Sequence, residues 1–353
     1  MKTVRIKFKG FWENCDYDSL FITKILRKHY HVEFSEDADY VICSSFGFFD
    51  YLDEDKIRIM FSGENYVPEF NYVDYAFSFY PIEFLDRHCT IPGMIYLSTD
   101  PLEELSRKNR DYSNDIMDSK VYFANLIASH ESDKNMRSCL VKTLKQYKRV
   151  ECAGTLFNNM PEGKTVSMWE GTKLPFVKKC KFTLCPESVI HEGFVTEKIF
   201  DAFMADTIPV YYGSSTVSSI FNKKAYLDVS DFDSLDSLLE RIIELDNDDE
   251  QYLEMLRQPI FADPDYIENS LKKIENYLCY IFDQPIEKAY RRCRLYMPSK
   301  YEKRLIECKK LHNRFYRRFG RWIKKQSICT YWMVFEKAVK IKRKFIPSRV
   351  QEG

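Results

Sequence analysis

The chain has 353 residues and 11 cysteines, yet no Cys-x-x-Cys pair and no Cys/His spacing suited to a metal cage. An odd, scattered set of thiols excludes a disulfide-stapled secreted scaffold and reads as buried or free cysteines in a reducing compartment. No stretch approaches the ~18 uncharged apolar residues of a membrane-spanning helix. The opening residues, MKTVRIKFKGFW, alternate polar and apolar at once and contain no apolar core of a leader peptide, so a cytoplasmic protein is expected. No internal repeat is visible. The formal net charge is zero, but that zero is unevenly built. Residues 286–353 hold 21 Lys/Arg against 5 Asp/Glu, a net of +16, and the remainder carries the balancing −16. A tail of such different composition has its own task.

What is present is a folded protein's composition, with 45% hydrophobic and 30% charged residues. Aromatic residues make up 16%, mostly Tyr and Phe; sugar-handling clefts use such faces, although packing is their ordinary use. The length predicts two domains. Residues 3–9 alternate as a strand, a helix is predicted over 19–29, and YVICSS (40–45), IRIMFSGEN (57–65) and DYAFSF (74–79) read as short buried strands ending in turns. A polar stretch over 98–120 marks the expected boundary, although a surface loop within one domain would look the same. The pattern then restarts: a strand at 121–129, a helix over 132–147 capped by Ser or Asp, and strands at 149–154 and 181–187. A helix over 196–205, a strand at 208–213, a strand and turn at 225–232 and helices to about residue 282 complete it. Strands alternating with helices imply parallel sheets. The expected organisation is an α/β domain over 1–118, a second α/β domain over 119–284, a cleft between them, and a tail over 285–353. In the tail, Leu305, Cys308, Leu311, Phe315, Phe319 and Trp322 recur at helical spacing among Arg and Lys. A basic amphipathic helix with Trp and Phe suits an anionic membrane surface; the plainer alternative packs the stripe on the body and leaves the charges solvated. Nucleic acid is a weaker partner for the same charge and is not among those expected.

Chemistry concentrates in GFVTEKIFDAFMADTIPVYYG (193–213). Glu197 and Lys198 fall in the first turn of a predicted helix. Free N–H groups and a partial positive charge there favour phosphate, and Lys198 adds a full charge. Glu197 suits hydroxyls such as a ribose diol. On pattern alone, a solvated first turn with a dipole-favoured Glu explains the pair as well. In FSGEN (61–65), Glu64 closes a buried strand where a lone carboxylate can serve as a general base or simply cap a turn. Asp-x-Asp triplets begin at 37, 231, 246 and 263, as an acidic body produces by chance, and no metal is expected. His191 is a loop histidine outside the core set; Asn158 and Asn159 are candidates to line a donor pocket.

Taken in order, FSGENYVPEFNYVDYAFSF, LIASHESDKNMRSCLVKTLKQYKRVECAGTLFNN, CKFTLCPES, GFVTEKIFDAFMADTIPVYYGSS and FNKKAYLDVSDF resemble consecutive blocks of the α-1,3/4-fucosyltransferases, glycosyltransferase family ten, in its bacterial branch. The resemblance runs from about residue 40 to 235 and is most specific around Thr196-Glu197-Lys198. It implies a GT-B fold and inverting transfer of L-fucose from GDP-fucose to a GlcNAc-containing glycan, in lipopolysaccharide or surface-glycan synthesis, with no metal cofactor. Glu64 takes the general-base position. Arg137 and Lys198 take the diphosphate-binding positions, Glu197 the ribose-binding one, and Glu187 that of the Glu in the family's Phe-Glu-Asn run. Two departures stand out: this chain has Pro186-Glu187-Ser188 in place of Phe-Glu-Asn, and Phe194 where Tyr is common. Ser188 is shorter than Asn and Phe194 lacks a hydroxyl, so a different nucleotide sugar is an alternative, as is a degenerate glycan- or membrane-binding protein.

The residue types fit such a reaction on their own. An attacking hydroxyl loses its proton to a carboxylate, and the leaving diphosphate is met by a forked guanidinium and a point charge.

Overall fold

The computed structural model describes residues 1–47, 50–91, 100–168, 170–292 and 296–323. Its first half is a six-stranded sheet of β1 (Thr3–Lys9), β2 (His31–Phe34), β3 (Tyr40–Ser44), β4 (Ile57–Phe61), β5 (Tyr75–Ser78) and β6 (His88–Thr90). The strands lie in the order β2-β1-β3-β4-β5-β6 and every pairing is parallel. The central strands YVICS, IRIMF and YAFS are buried throughout, as strands covered on both faces must be. β1 alternates instead: Val4, Ile6 and Phe8 enter the core, while Arg5 pairs with Asp39 and Lys9 with Glu54, each at 3.1 Å. The alternating and apolar runs were expected. The short strands β2 and β6 were not, because three or four residues give no readable period.

The second half repeats the plan with β7 (Tyr122–Leu126), β8 (Val150–Cys152), β9 (Cys180–Pro186), β10 (Ile208–Tyr212) and β11 (Leu227–Asp228), ordered β11-β10-β9-β7-β8 and again parallel. In each sheet the strand order reverses beside its first strand, between β1 and β3 and between β7 and β9. Open parallel sheets bind ligands outside the carboxyl ends of the strands at such a reversal.

The polar stretch 98–120 is not a bare linker. It contains the helices Asp100–Ser106 and Asp115–Asp118; Leu102 and Leu105 are buried, and Lys108 pairs with Asp206 at 2.7 Å. The helix Tyr266–Asp283, allotted by the sequence pattern to the second domain, shares the core of the first sheet. Phe282 packs on Tyr40 with ring centroids 4.3 Å apart, and Tyr30 donates to Asp283 at 2.8 Å. Its apolar stripe is equally legible whichever sheet covers it, so periodicity alone could not assign it. The nine described cysteines are free thiols.

This compact unit runs from Met1 to Arg292. The tail contributes the helix Tyr296–Ile323, in which Leu305 is half-buried and Cys308 and Leu311 are exposed. The expected segment 328–344 lies outside the described residues. No described helix is long and apolar enough to cross a membrane.

The chain's return to the first sheet is locked by Asp74, whose side chain is fully buried. It accepts from the backbone N–H groups of Arg58, Arg291 and Arg292 at 2.8 Å each and from the Arg292 guanidinium at 2.9 Å. Removing one side of a buried ion pair strands the other. Asp74→Ala is therefore expected to cost on the order of 3–5 kcal/mol in denaturant unfolding; a loss below about 1 kcal/mol contradicts this account.

Candidate active site

The second sheet's reversal point is built around one carboxylate. Glu187 follows β9 and keeps the strand pairing going, its N–H donating to the Tyr212 carbonyl at 2.8 Å. Its side chain is fully buried. Such a carboxylate needs donors, and it has them: the Thr196 N–H at 2.7 Å, the Thr196 hydroxyl at 2.7 Å and the Lys198 ammonium at 3.1 Å. Gly213 makes room, since a Cβ there would stand 2.7 Å from Glu187 Cγ and 2.4 Å from the Tyr211 hydroxyl.

Thr196 is the N-cap residue of the helix Glu197–Met204, but its hydroxyl makes no cap bond to that helix. It donates to Glu187 and accepts from Lys198 at 2.8 Å, pinning the first helical turn to the end of β9. Lys198 also approaches Glu197 at 3.4 Å, and 21% of its side chain remains exposed. Burial works to lower the Lys198 pKa, but the carboxylates of Glu187 and Glu197 outweigh it and hold the ammonium above its ordinary range. Burial pushes Glu187 up, against Lys198 and the Thr196 donors. For Glu197 the opposite balance wins: burial would raise it, while Lys198 and Lys173 hold it below the usual carboxylate range.

Arg137 comes to the same edge from the other flank, in the first turn of the helix Met136–Leu144 after β7. It is 5% exposed; its guanidinium donates to the His130 carbonyl and, at 3.2 Å, to the Pro186 carbonyl, and its Nε is buried without a partner. Burial lowers its pKa against the raising charges of Glu187, Glu131 and Glu197, though a guanidinium stays protonated regardless. The predicted helix over 132–147 is shorter than expected because Lys134 and Asn135 both take left-handed φ, 56° and 54°. Strained non-glycine backbone of this kind collects at ligand-facing turns. Ser132, outside the helix, still serves it by accepting the Arg137 N–H at 3.2 Å.

Glu64 lies on the first half of the unit, in the loop after β4. Ser62 N–H donates to the Phe77 carbonyl at 3.0 Å, Tyr66 N–H to the Glu64 carbonyl at 2.7 Å, and the Tyr80 hydroxyl to Asn65. The Glu64 side chain is solvent-exposed, yet partial dehydration and the negative charge of Glu197 raise its pKa while Lys198 opposes them. The helix-start pair of the second sheet thus makes itself felt at the carboxylate of the first.

Between them runs a seam made by Gly193 and Phe194. Gly193 has φ +80°, and a Cβ there would stand 2.3 Å from the Phe79 carbonyl oxygen. Phe194, expected at the donor, is 4% exposed with its ring edge-on to Phe79 at 4.9 Å, so the ring serves the seam. His191 faces Tyr80 there, ring centroids 5.6 Å apart. Ser188 is half-buried, and its carbonyl accepts the Asp133 N–H at 3.0 Å. Asn158 and Asn159, considered as donor-pocket residues from sequence, donate with their amides to backbone carbonyls, Asn158 to those of Gly154 and Lys164 and Asn159 to that of Val150 in β8.

In three of the four Asp-x-Asp triplets carboxylates are engaged locally, Asp37 and Asp39 by Arg5, Asp231 by Lys223, and Asp246 by Lys148 and Lys181. Among the described residues no cluster of three His, Cys, Asp or Glu could hold a metal ion. A cavity of about 510 Å³ lies elsewhere, along edge strand β6 under Lys273 and Tyr277, and contains none of these groups. Sequence reasoning missed Thr196, Ser132 and Gly213 as parts of the site. A Thr before Glu-Lys signals a helix start, but nothing local announces that its hydroxyl serves a carboxylate nine residues away.

Two family models match the chain. Residues 117–285 match the C-terminal part of glycosyltransferase family 10 (fucosyltransferase), and residues 6–97 match the N-terminal domain of the alpha-(1,3)-fucosyltransferase FucT. The chain is 30% identical over 227 residues to an alpha-(1,3)-fucosyltransferase FucT of Helicobacter pylori, covering 56% of this chain and 46% of that protein. It is 33% identical over 82 residues to the 4-galactosyl-N-acetylglucosaminide 3-alpha-L-fucosyltransferase 9 of Mus musculus, 23% of each. The matches thus span less than half the length of these relatives. Two crystal structures of an alpha1,3-fucosyltransferase, one with GDP-fucose and one without, share the fold with TM-scores of 0.61 and 0.67 at 24% identity. They cover 79% and 84% of this chain and 91% and 93% of theirs. With two parallel α/β sheets in the GT-B arrangement, and family models matching both halves, the chain belongs to glycosyltransferase family 10, the fucosyltransferases.

Proposed function

We propose that the protein transfers L-fucose, with inversion, from GDP-fucose to a hydroxyl of a GlcNAc-containing glycan in α-1,3 or α-1,4 linkage. The observation that carries this reading is the assembly of Arg137, Glu187, Glu197 and Lys198 at the second sheet's reversal point, electrostatically in reach of Glu64. The acceptor oxygen attacks the anomeric carbon of fucose from the face opposite GDP. Its proton passes to Glu64 as the new C–O bond forms, and the bond between the anomeric carbon and the β-phosphate oxygen breaks with its electron pair on GDP. Arg137 and Lys198 meet that developing charge, and Glu197 accepts from the ribose hydroxyls. Two fixed cations beside a helix start supply the charge compensation that a divalent metal would otherwise bring, so the reaction proceeds without one. Glu187 acts through Lys198, holding it charged and aimed. Ser188 is the donor-side residue of the β9 end.

The basic helix Tyr296–Ile323 suits a peripheral position on an anionic membrane face, where a lipid-linked glycan is assembled into lipopolysaccharide or a similar surface polymer. The acceptor then arrives at the same surface as the enzyme.

Replacing the base should separate chemistry from binding. Glu64→Gln is expected to lower kcat by ~10²–10⁴-fold while GDP still binds; retained turnover removes Glu64 from the mechanism. Glu64 works only when ionised and its pKa is raised, so kcat/KM should fall, as pH drops, at values above the ordinary carboxylate pKa of about 4.3. That acid limb should vanish in the residual activity of Glu64→Gln. Lys198→Ala should weaken GDP binding, followed by calorimetry, by about tenfold or more; an unchanged affinity argues that the diphosphate lies elsewhere. With anionic liposomes, the full chain should float and a chain ending at Arg292 should not. Equal flotation excludes the tail as the membrane contact.

A further inference from the structure

The first sheet has its own reversal point, between β1 and β3, and the catalytic groups assigned above do not use it. Its walls are the turn after β1, which carries Trp12, and the turn after β3, which carries Phe46. Strand register places these turns on the edge that bears Glu64: Lys9 stands opposite Cys43, and Ser44 opposite Phe61. Moving along the edge, the turn of Trp12 is followed by that of Phe46 and then by the Glu64 loop.

The two rings lie 6.3 Å apart at 87°, an aromatic corner. Phe46 is 48% exposed and Trp12 half-buried. The corner is rooted, because Trp12 rests on Phe11 at 5.8 Å and Phe11 on the buried Phe8 at 5.4 Å. A single exposed apolar ring needs no explanation. Two rings set at right angles, fixed from behind and placed at a parallel sheet's reversal point on the edge that bears Glu64, form a shaped surface. The exposed Glu13 and Asn14 follow Trp12 directly, with Asn14 in left-handed φ of 61°. Uncharged rings with acceptors at the rim match a pyranose, whose apolar C–H face can lie on a ring while its hydroxyls point outward.

We propose that Trp12 and Phe46 form the subsite that holds a neutral pyranose unit of the acceptor glycan next to Glu64. The proposal rests on the transferase reading above and adds the residues that position its second substrate. Binding is its only step, with no bond made or broken at these rings.

Steady-state kinetics of the full chain with GDP-fucose and N-acetyllactosamine test it. Phe46→Ala and Trp12→Ala should each raise the acceptor KM by about five- to tenfold and leave the GDP-fucose KM within about twofold. Trp12→Phe, which keeps a ring, should recover most of the acceptor affinity. An acceptor KM unchanged in both alanine variants overturns the subsite, as does an equal rise in the KM of both substrates. If Trp12→Ala unfolds, Phe46→Ala decides alone, because that ring is half in solvent. A wild-type protein that never turns over GDP-fucose removes the transferase reading and the subsite with it. Active wild type with unaffected variants removes the subsite only.

Discussion

A carboxylate that water cannot reach organises the second half of this protein. Buried charge is tolerated only when fully hydrogen-bonded and paired. Glu187 meets that demand by drawing in Thr196 and Lys198, which stand on the next helix. The demand is mutual: Lys198 stays charged because Glu187 and Glu197 surround it. The outcome is a helix start clamped to the end of β9, with about a fifth (21%) of the Lys198 side chain left exposed. Arg137, tied to the Pro186 carbonyl just before Glu187, brings the second cation to the same edge from β7. Without the glycine at 213, the β10 turn would collide with Glu187 and the clamp could not close.

The same logic governs how the halves of the unit meet. On the site side, Gly193 lets the backbone approach the Phe79 carbonyl, Phe194 seals against the Phe79 ring, and Tyr80 reaches back to the Glu64 loop through Asn65. Away from it, the helix Tyr266–Asp283 packs on the first sheet and Asp74 locks the segment that follows. Glu64 and the Glu197-Lys198 pair are therefore set against each other by two attachments, one apolar and one ionic. That accounts for Glu197 raising the pKa of Glu64 across the seam.

Much of the architecture was legible in the chain. Buried strands such as IRIMF and YVICS, the turn after them at Ser62-Gly63-Glu64, and the helix opening at Glu197 all stand where their local patterns put them. The same reasoning allotted the helix Tyr266–Asp283 to the second domain without foreseeing that its apolar face shares the core of the first sheet, and gave Phe194 to a ligand when its ring packs on Phe79. Both differences arise in the same way: an apolar stripe or ring announces that it will be buried, not against what.

The sequence by itself determined two parallel α/β sheets, a basic helical tail and the identity of the charged residues at the strand ends, because strand period, helix start signals and composition are local properties. Only the tertiary structure decided that Glu187 is the buried partner of Lys198, that Thr196 bonds a carboxylate rather than its own helix, and that Trp12 and Phe46 make a corner on the sheet edge that bears Glu64. The first two cross the loop from β9 to the next helix, eleven and nine residues apart, and the third joins the ends of the neighbouring strands β1 and β3. The loop contacts exist because the chain after β9 folds back on the strand end, and the aromatic corner because strand order sets β1 beside β3; neither fold-back nor strand order is a local period of the sequence.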